Sequence, residues 1–321
     1  MAVTMIPEPT LLDSVHATDR ITAAGRPTPE FREQLRRIPN ARNAGAVVAL
    51  YAQTVAIVVL AVHLDNWFVW IAAFVLMGRA HAQFAALMHE AAHRLLLRNR
   101  AFNDFVGRWL LGFPSFTPID AYRRGHMAHH REEFGPDEPD IPLYRGYPIS
   151  KASLRRKLVR DATGRTGWKL FKGLLGATRS ESGPIRFQAR AIVATQLVLI
   201  GLGVALHHPW VYFILWLAPY LTVWRVINRL RSIGEHGGMR QSKDRRQTTH
   251  SVKQSPLSRF ILVPFHIGWH LAHHVDAGVP MAHLPRLHAE LRKAGYVVDG
   301  LEYRSYLSLW RKLSSGASLG R

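Results

Sequence analysis

Four long stretches nearly free of ionised side chains constrain this chain more than any other feature. Ala44 to Leu64 is 21 residues without a charge, against the ~20 a helix needs to cross the apolar part of a bilayer. Asp65-Asn66 makes a turn, and Trp67 opens a second apolar run that reaches Met88. Arg79 interrupts that run, from where its long side chain can snorkel towards the inner interface. Ala191 to Trp224 is a further block of 34 residues, broken at His207-His208-Pro209. It holds two spans only if they extend into Arg190 on one side and Arg225 to Arg229 on the other. Backbone groups in lipid must be satisfied within their own segment, so such runs become helices. The chain therefore reads as an all-α integral membrane protein with four transmembrane helices in two hairpins. Four near-uncharged runs of this length are rare in soluble cores, which sets aside a soluble protein with two apolar helical pairs.

Charge gives the orientation. Neither turn carries Lys or Arg, whereas Ser150 to Arg190, between the hairpins, carries 11 Lys+Arg against 2 acids. The positive-inside rule then places both termini, the middle segment and the tail in the cytoplasm, with a bacterial inner membrane as the expected setting. The net charge of +20 lies between apolar spans with no nucleic-acid motif to organise it. Anionic lipid or an acidic protein is the expected partner, not nucleic acid. Met1 to Asn43 has no apolar core and carries Glu30, Arg32, Glu33, Arg36 and Arg37, so it reads as an exposed arm and not a signal peptide. The expected organisation is a cytoplasmic arm (1–43), a first hairpin (44–88), cap residues 89–188, a second hairpin (189–229) and the rest of a helical cap (230–321). Ala101–Phe116 reads as an amphipathic segment in the interface.

Histidine carries the chemistry. The chain has no cysteine and 18 histidines, so a bound metal must take most of its ligands from imidazole. Three clusters stand out: His89-Glu90-Ala91-Ala92-His93, His126-Met127-Ala128-His129-His130 and His270-Leu271-Ala272-His273-His274. Residues four apart share one helix face, so both imidazoles of the first cluster reach one metal. In each HxxHH the outer pair faces one way, and the adjacent third imidazole, turned by ~100°, reaches a second metal. Eight imidazoles exceed the needs of one tetrahedral zinc. The first cluster also fits the HExxH zinc-protease signature with Glu90 as general base, but that reading leaves most of the boxed histidines unused. A histidine-rich transporter or receptor would be expected to place its ligands inside the spans, whereas these lie at their cytoplasmic ends.

At these residues the chain resembles the membrane fatty-acid desaturase and hydroxylase superfamily, whose boxes are of types HxxxH, HxxHH and HxxHH. The likeness runs from about Ala80 to Tyr296 and includes HEAAHR, YRRGHMAHH, Pro139-Asp140, and PFHIGWHLAHH followed by HLPRLHAELRKAGY. It implies two non-haem irons held at the cytoplasmic cap by His89, His93, His126, His129, His130, His270, His273 and His274, with O2 as co-substrate. Arg231 to Gly238 looks like a further family element and adds His236 as a ninth ligand. Glu90, Asp140, Glu235 and His266 are candidates to hydrogen-bond the ligands from outside. Gly268, Ala272 and Val275-Asp276 depart from the family pattern near the third box.

The resemblance implies an oxidoreductase that removes hydrogen from an unactivated methylene of a lipid-like substrate: a desaturase, with hydroxylation as the alternative outcome of the same site. A haem-binding His-Pro-Gly-Gly is absent, so electrons are expected from a separate ferredoxin-like protein, or a cytochrome with its reductase. The basic stretch Lys151 to Arg190, with Arg240, Lys243, Arg245 and Arg246, is the expected docking face. The opening DRITAAGRPTPEFREQLRRIPN and the spacing of the cap resemble bacterial members similar to dihydrorhizobitoxine desaturase, which act on a polar amino-acid derivative. The remaining histidines are assigned structural places: His16 and His250 exposed, His63, His207 and His208 at the far membrane face, His81 packed or hydrogen-bonded, and His283 and His288 in the tail.

Overall fold

The computed structural model describes residues 4–136 and 138–316. The first three residues of the arm and the last five of the tail, for which the sequence gives an expectation, lie outside the described residues. Most of the described chain is helical, and the strand pairing among the described residues is a short parallel pair, Ser251–Val252 with Glu302–Tyr303, and two isolated bridges.

Among the described residues, four helices are long and apolar enough to cross a membrane: Pro29–Leu64, Trp67–Ala92, Gly183–Ala205 and Pro209–His236. In the first, only 17% of the most apolar window is buried, and Val55, Val59 and Leu60 are exposed. Leu197, Val198 and Leu202 of the third span are exposed as well. Apolar surface of this extent needs a lipid or protein cover. The turn at Asp65-Asn66 is where the sequence puts it. Asp65 takes a left-handed φ of 36°, and the Asn66 side chain caps the second span by accepting from the Phe68 N–H at 2.9 Å. The second turn falls at His207 (φ 59°), followed by Pro209 in the first turn of the next helix, where its missing N–H costs nothing.

Several polar groups inside the spans are paired. Arg79 donates to Gln53 Oε1 at 2.9 Å and to Gln83 Oε1 at 3.1 Å, so its charge is held between two glutamines of the first and second spans. The fourth span is not regular. Tyr212–Leu217 is a π-helical turn, Pro219 removes one ladder N–H, and Thr222 leaves helical geometry; such features free backbone groups for other partners. The Trp216 carbonyl accepts from His81 Nε2 at 3.0 Å, in keeping with the packing or hydrogen-bonding role expected of His81. Gly78 permits a close approach, since a Cβ there would lie 2.4 Å from Val223. An apolar cavity of about 590 Å³ lies among the four spans, lined by residues such as Val55, Val59, Met77, Leu202 and Leu215. None of the nine candidate ligands lines it.

Contacts divide the chain into two compact units. One comprises Met1–Pro39, Arg124–Arg156 and Arg229–Arg321; the other comprises Asn40–Arg123 and Lys157–Asn228. The first is called the histidine unit below and the second the span unit. In the histidine unit, Asp276 accepts from Arg32 at 2.6 Å and Arg36 at 2.7 Å, fastening the arm two residues beyond the third box. His283 donates to the Leu35 carbonyl at 2.6 Å, and His288 meets Glu302 at 2.9 Å, so both steady the tail.

Two sequence expectations are corrected here. His250 is buried, not exposed: its ring bonds the Gly237 carbonyl at 2.8 Å, and burial pushes its pKa down to about 4. Of the basic docking residues, Arg246 is buried against Asp244 and the Tyr296 ring, and Arg245 is turned onto Glu133. A guanidinium close to a buried carboxylate gains more from that pair than from facing solvent. Arg240 and Lys243 are exposed, as expected.

Candidate metal centre

The first box sits at the end of the second span. That helix runs to Ala92 with His93 as its cap, so the box continues directly from the span. The last carbonyls of a helix lack partners within it, and here they are met by cation and amide. Arg123 donates to Ala92 O at 2.8 Å and Ala91 O at 3.0 Å, and the buried Asn103 donates to Ala91 O at 2.9 Å. Arg94 then turns the chain with a φ of 60°. The rings of His89 and His93 lie 4.7 Å apart on the face that the four-residue spacing dictates. Glu90 is buried beside them in sequence.

The other seven ligand candidates belong to the histidine unit and form two nests. In one, His270 Nε2 lies 3.0 Å from His274 Nε2 and 3.1 Å from His236 Nε2, and a ligand atom of His129 is within 4.8 Å of those of His236 and His274. In the other, His130 Nε2 lies 3.0 Å from both His126 Nε2 and His273 Nε2. The two HxxHH boxes, on helices Ile119–Arg131 and His270–Val275, therefore exchange residues. Each gives its outer pair to one nest and its inner imidazole to the other, as the ~100° turn between neighbours requires.

Groups behind the rings decide what these nests can hold. His274 Nδ1 donates to Glu133 at 2.5 Å, His129 Nδ1 donates to Glu138 at 2.5 Å, and His236 Nδ1 donates to the Thr248 carbonyl at 2.8 Å. Each bond fixes the proton on Nδ1 and leaves Nε2 with a bare lone pair. Burial first, and neighbouring imidazoles next, push His270 and His274 well below the ordinary imidazole range, so both are neutral. Bare nitrogens gathered 3.0–3.1 Å apart in a buried site repel one another unless a cation lies among them. The donor set fits a metal ion in each nest. Burial lowers His129 too, but Glu138 outweighs it and the net shift is upward. Burial likewise raises Glu133 against the pull of Arg245.

This geometry matches what the sequence comparison finds. Residues 65–306 match the family model described as fatty acid desaturase. The chain belongs to the fatty acid desaturase family. Among its relatives is dihydrorhizobitoxine desaturase of Bradyrhizobium elkanii, 25% identical over 271 residues that cover 78% of this chain and 76% of that one. The Delta(5) fatty acid desaturase fat-4 of Caenorhabditis elegans is 34% identical over a shorter stretch of 82 residues, 24% of this chain and 17% of the other. Membership makes this family member an oxidoreductase, with histidine clusters able to hold a metal.

The residues proposed as outer hydrogen-bond partners are spread more widely. Glu235 lies 3.6 Å from His270 Nδ1 and accepts from Arg231 at 2.6 Å. Asp140 is close enough to His129 for their charges to interact, while burial raises its carboxyl. His266 Nε2 accepts from Arg259 at 3.0 Å. Glu133, Glu138 and the Thr248 carbonyl were not anticipated, and they bond the Nδ1 atoms of His274, His129 and His236. At Gly268 a Cβ would lie 2.2 Å from the Gln254 amide oxygen, so that amide fills the side-chain space, and Gln254 Nε2 donates to the Gly268 carbonyl at 2.9 Å.

Proposed function

We propose that the chain is an O2-dependent membrane desaturase that places a double bond in a lipid-like acyl substrate at a histidine-held pair of irons. The convergence of imidazole Nε2 atoms into two nests, the first backed by Glu133, Glu138 and the Thr248 carbonyl, carries this reading. His129, His236, His270 and His274 hold one iron. His126, His130 and His273 hold the other, with His89 and His93 assigned to it by their box spacing, because three imidazoles leave that ion short of ligands. Bound iron supplies the O2 activation that zinc, without redox chemistry, does not. Glu133 and Glu138 keep His274 and His129 in the metal-binding tautomer, and Asp140, Glu235 and Arg231 set the charge around them.

Each double bond consumes one O2, two electrons from a separate donor and two protons, and releases two waters. The positive-inside pattern puts the nests and both termini on the cytoplasmic side, where such a donor is found. A smaller, amino-acid-derived substrate is the second reading, favoured by the broad match to dihydrorhizobitoxine desaturase. Membranes holding the iron-loaded enzyme, given an electron source and a lipid extract, should yield acyl products lighter by two hydrogens. Products heavier by one oxygen would make it a hydroxylase. No change in any lipid, with dehydrogenation of amino-acid-derived compounds instead, would establish the second reading.

A further inference from the structure

We propose that the face of the histidine unit around Arg131 and Lys243 is the port through which electrons reach the metal pair, and that a small acidic iron–sulfur protein docks there. The inference rests on the di-iron reading above. A cavity of about 1090 Å³ opens on this face, lined among others by Arg26, Arg131, Glu133, Lys243, Arg245 and His274. Its inner end meets the centre from behind. Glu133 and His274 line it, and their side chains are fully buried. His274 turns Nε2 inward to His270 and Nδ1 outward to Glu133. A substrate in this cavity would face the back of a ligand, away from the metal. An electron needs no open coordination position, so the same arrangement suits electron delivery.

The contacts behind the ligands link the port to both nests. Arg245 Nη1 donates to Glu133 at 2.5 Å, and its Nη2 donates to the His130 carbonyl at 3.0 Å. One guanidinium thus touches the carboxylate that orients His274 and the backbone of His130, a ligand candidate in each nest. Arg245 is 26% exposed, which puts it between solvent and the buried groups.

Charge at the mouth favours an acidic partner. Asp244 and Glu133 are engaged by Arg246 and Arg245. Arg26, Arg131 and Lys243 are exposed and have no ion-pair partner among the described residues. Against them stand only Asp13 and Glu132. Each docking event passes one electron: the donor's cluster is oxidised, one ferric ion is reduced, and two events serve one turnover.

Anaerobic stopped-flow reduction of the ferric, iron-loaded enzyme by a chemically reduced plant-type [2Fe–2S] ferredoxin tests the port. With Arg131→Glu and Lys243→Glu together, the second-order rate at low salt should fall about tenfold or more, and its salt dependence should flatten. Iron content and reduction by dithionite should be unchanged. Arg245→Gln should lower the limiting rate at saturating ferredoxin while leaving its binding constant in place. The proposal is overturned if the double variant is reduced at the wild-type rate. It is equally overturned if Arg155→Glu with Arg160→Glu abolishes the reaction instead, or if dithionite reduces the wild type but ferredoxin does not at any salt. A wild type that holds no iron would instead remove the di-iron reading itself.

Discussion

The first and third histidine boxes reach the same chemistry by opposite structural means. His89 and His93 ride the last turn of a 26-residue helix, whose length and apolar faces fix its axis. His270, His273 and His274 occupy a six-residue helix, too short to hold its place by its own hydrogen bonds. That helix is held from outside instead: Glu133 on His274, Gln254 on Gly268, and Arg32 with Arg36 on Asp276. The difference teaches that a ligand on a long helix is placed by the fold, whereas a ligand on a short one is placed by distant polar partners. Damage to those partners should then cost metal at the third box and only stability at the first.

The largest such effect is expected at Glu133. Glu133→Gln keeps the volume but removes the charge that holds the His274 proton and balances Arg245, and outer partners of this kind are worth about 10- to 100-fold in metal affinity or activity. Iron retained after a chelator challenge measures it. Retention equal to wild type would show that the third box is held by its own helix, against the comparison.

Asp276→Ala comes next, paired with Asn103→Ala at the first box. Both residues are buried and polar, so each change should cost about 1–3 kcal/mol in thermal unfolding. The value for Asp276 falls at the low end because Arg32 and Arg36 are half exposed and regain water. The clasp is charged in the fold: burial alone would raise the Asp276 carboxyl, but Arg32 and Arg36 hold it below the usual carboxylate range. Iron loss should follow Asp276→Ala severalfold more than Asn103→Ala. Equal losses would erase the distinction between the boxes.

The smallest expected effect is at Glu302, which ties the tail to His288 and Arg292. Burial would raise this carboxyl, but His288 and then Arg292 hold it below the usual range. A depressed carboxyl stabilises the fold above the unfolded pKa of ~4.3 and loses that contribution as pH falls through the folded value. Glu302→Gln should therefore cost about 1 kcal/mol near neutral pH, and the gap to wild type should close below about pH 4. A gap that stays constant on acidification would mean that packing, not charge, holds the tail.

What the sequence discloses follows the range of the interaction involved. The spans, their turns at Asp65-Asn66 and His207–Pro209 and the exchange of imidazoles within each HxxHH follow from local periodicity. The partners behind the ligands do not. Glu133 and Glu138 stand close after the second box in sequence, but the helix ends at Arg131 and the chain doubles back through Phe134 at a φ of 60°. Helical spacing says nothing about that return, although two glutamates directly after HHR were a signal that acceptors lay near. The partner of His236 is a backbone carbonyl, Thr248, which no side-chain pattern encodes. His250 reads as exposed in a polar stretch, and only the fold around Gly237 buries it.

Metal content tests the central claim most directly. Protein purified from iron-fed cells and assayed by elemental analysis should hold two irons per chain and no stoichiometric zinc, with His274→Ala and His130→Ala each losing iron while still inserting normally in the membrane. One zinc per chain with no iron, or two irons retained by either variant, would contradict the account.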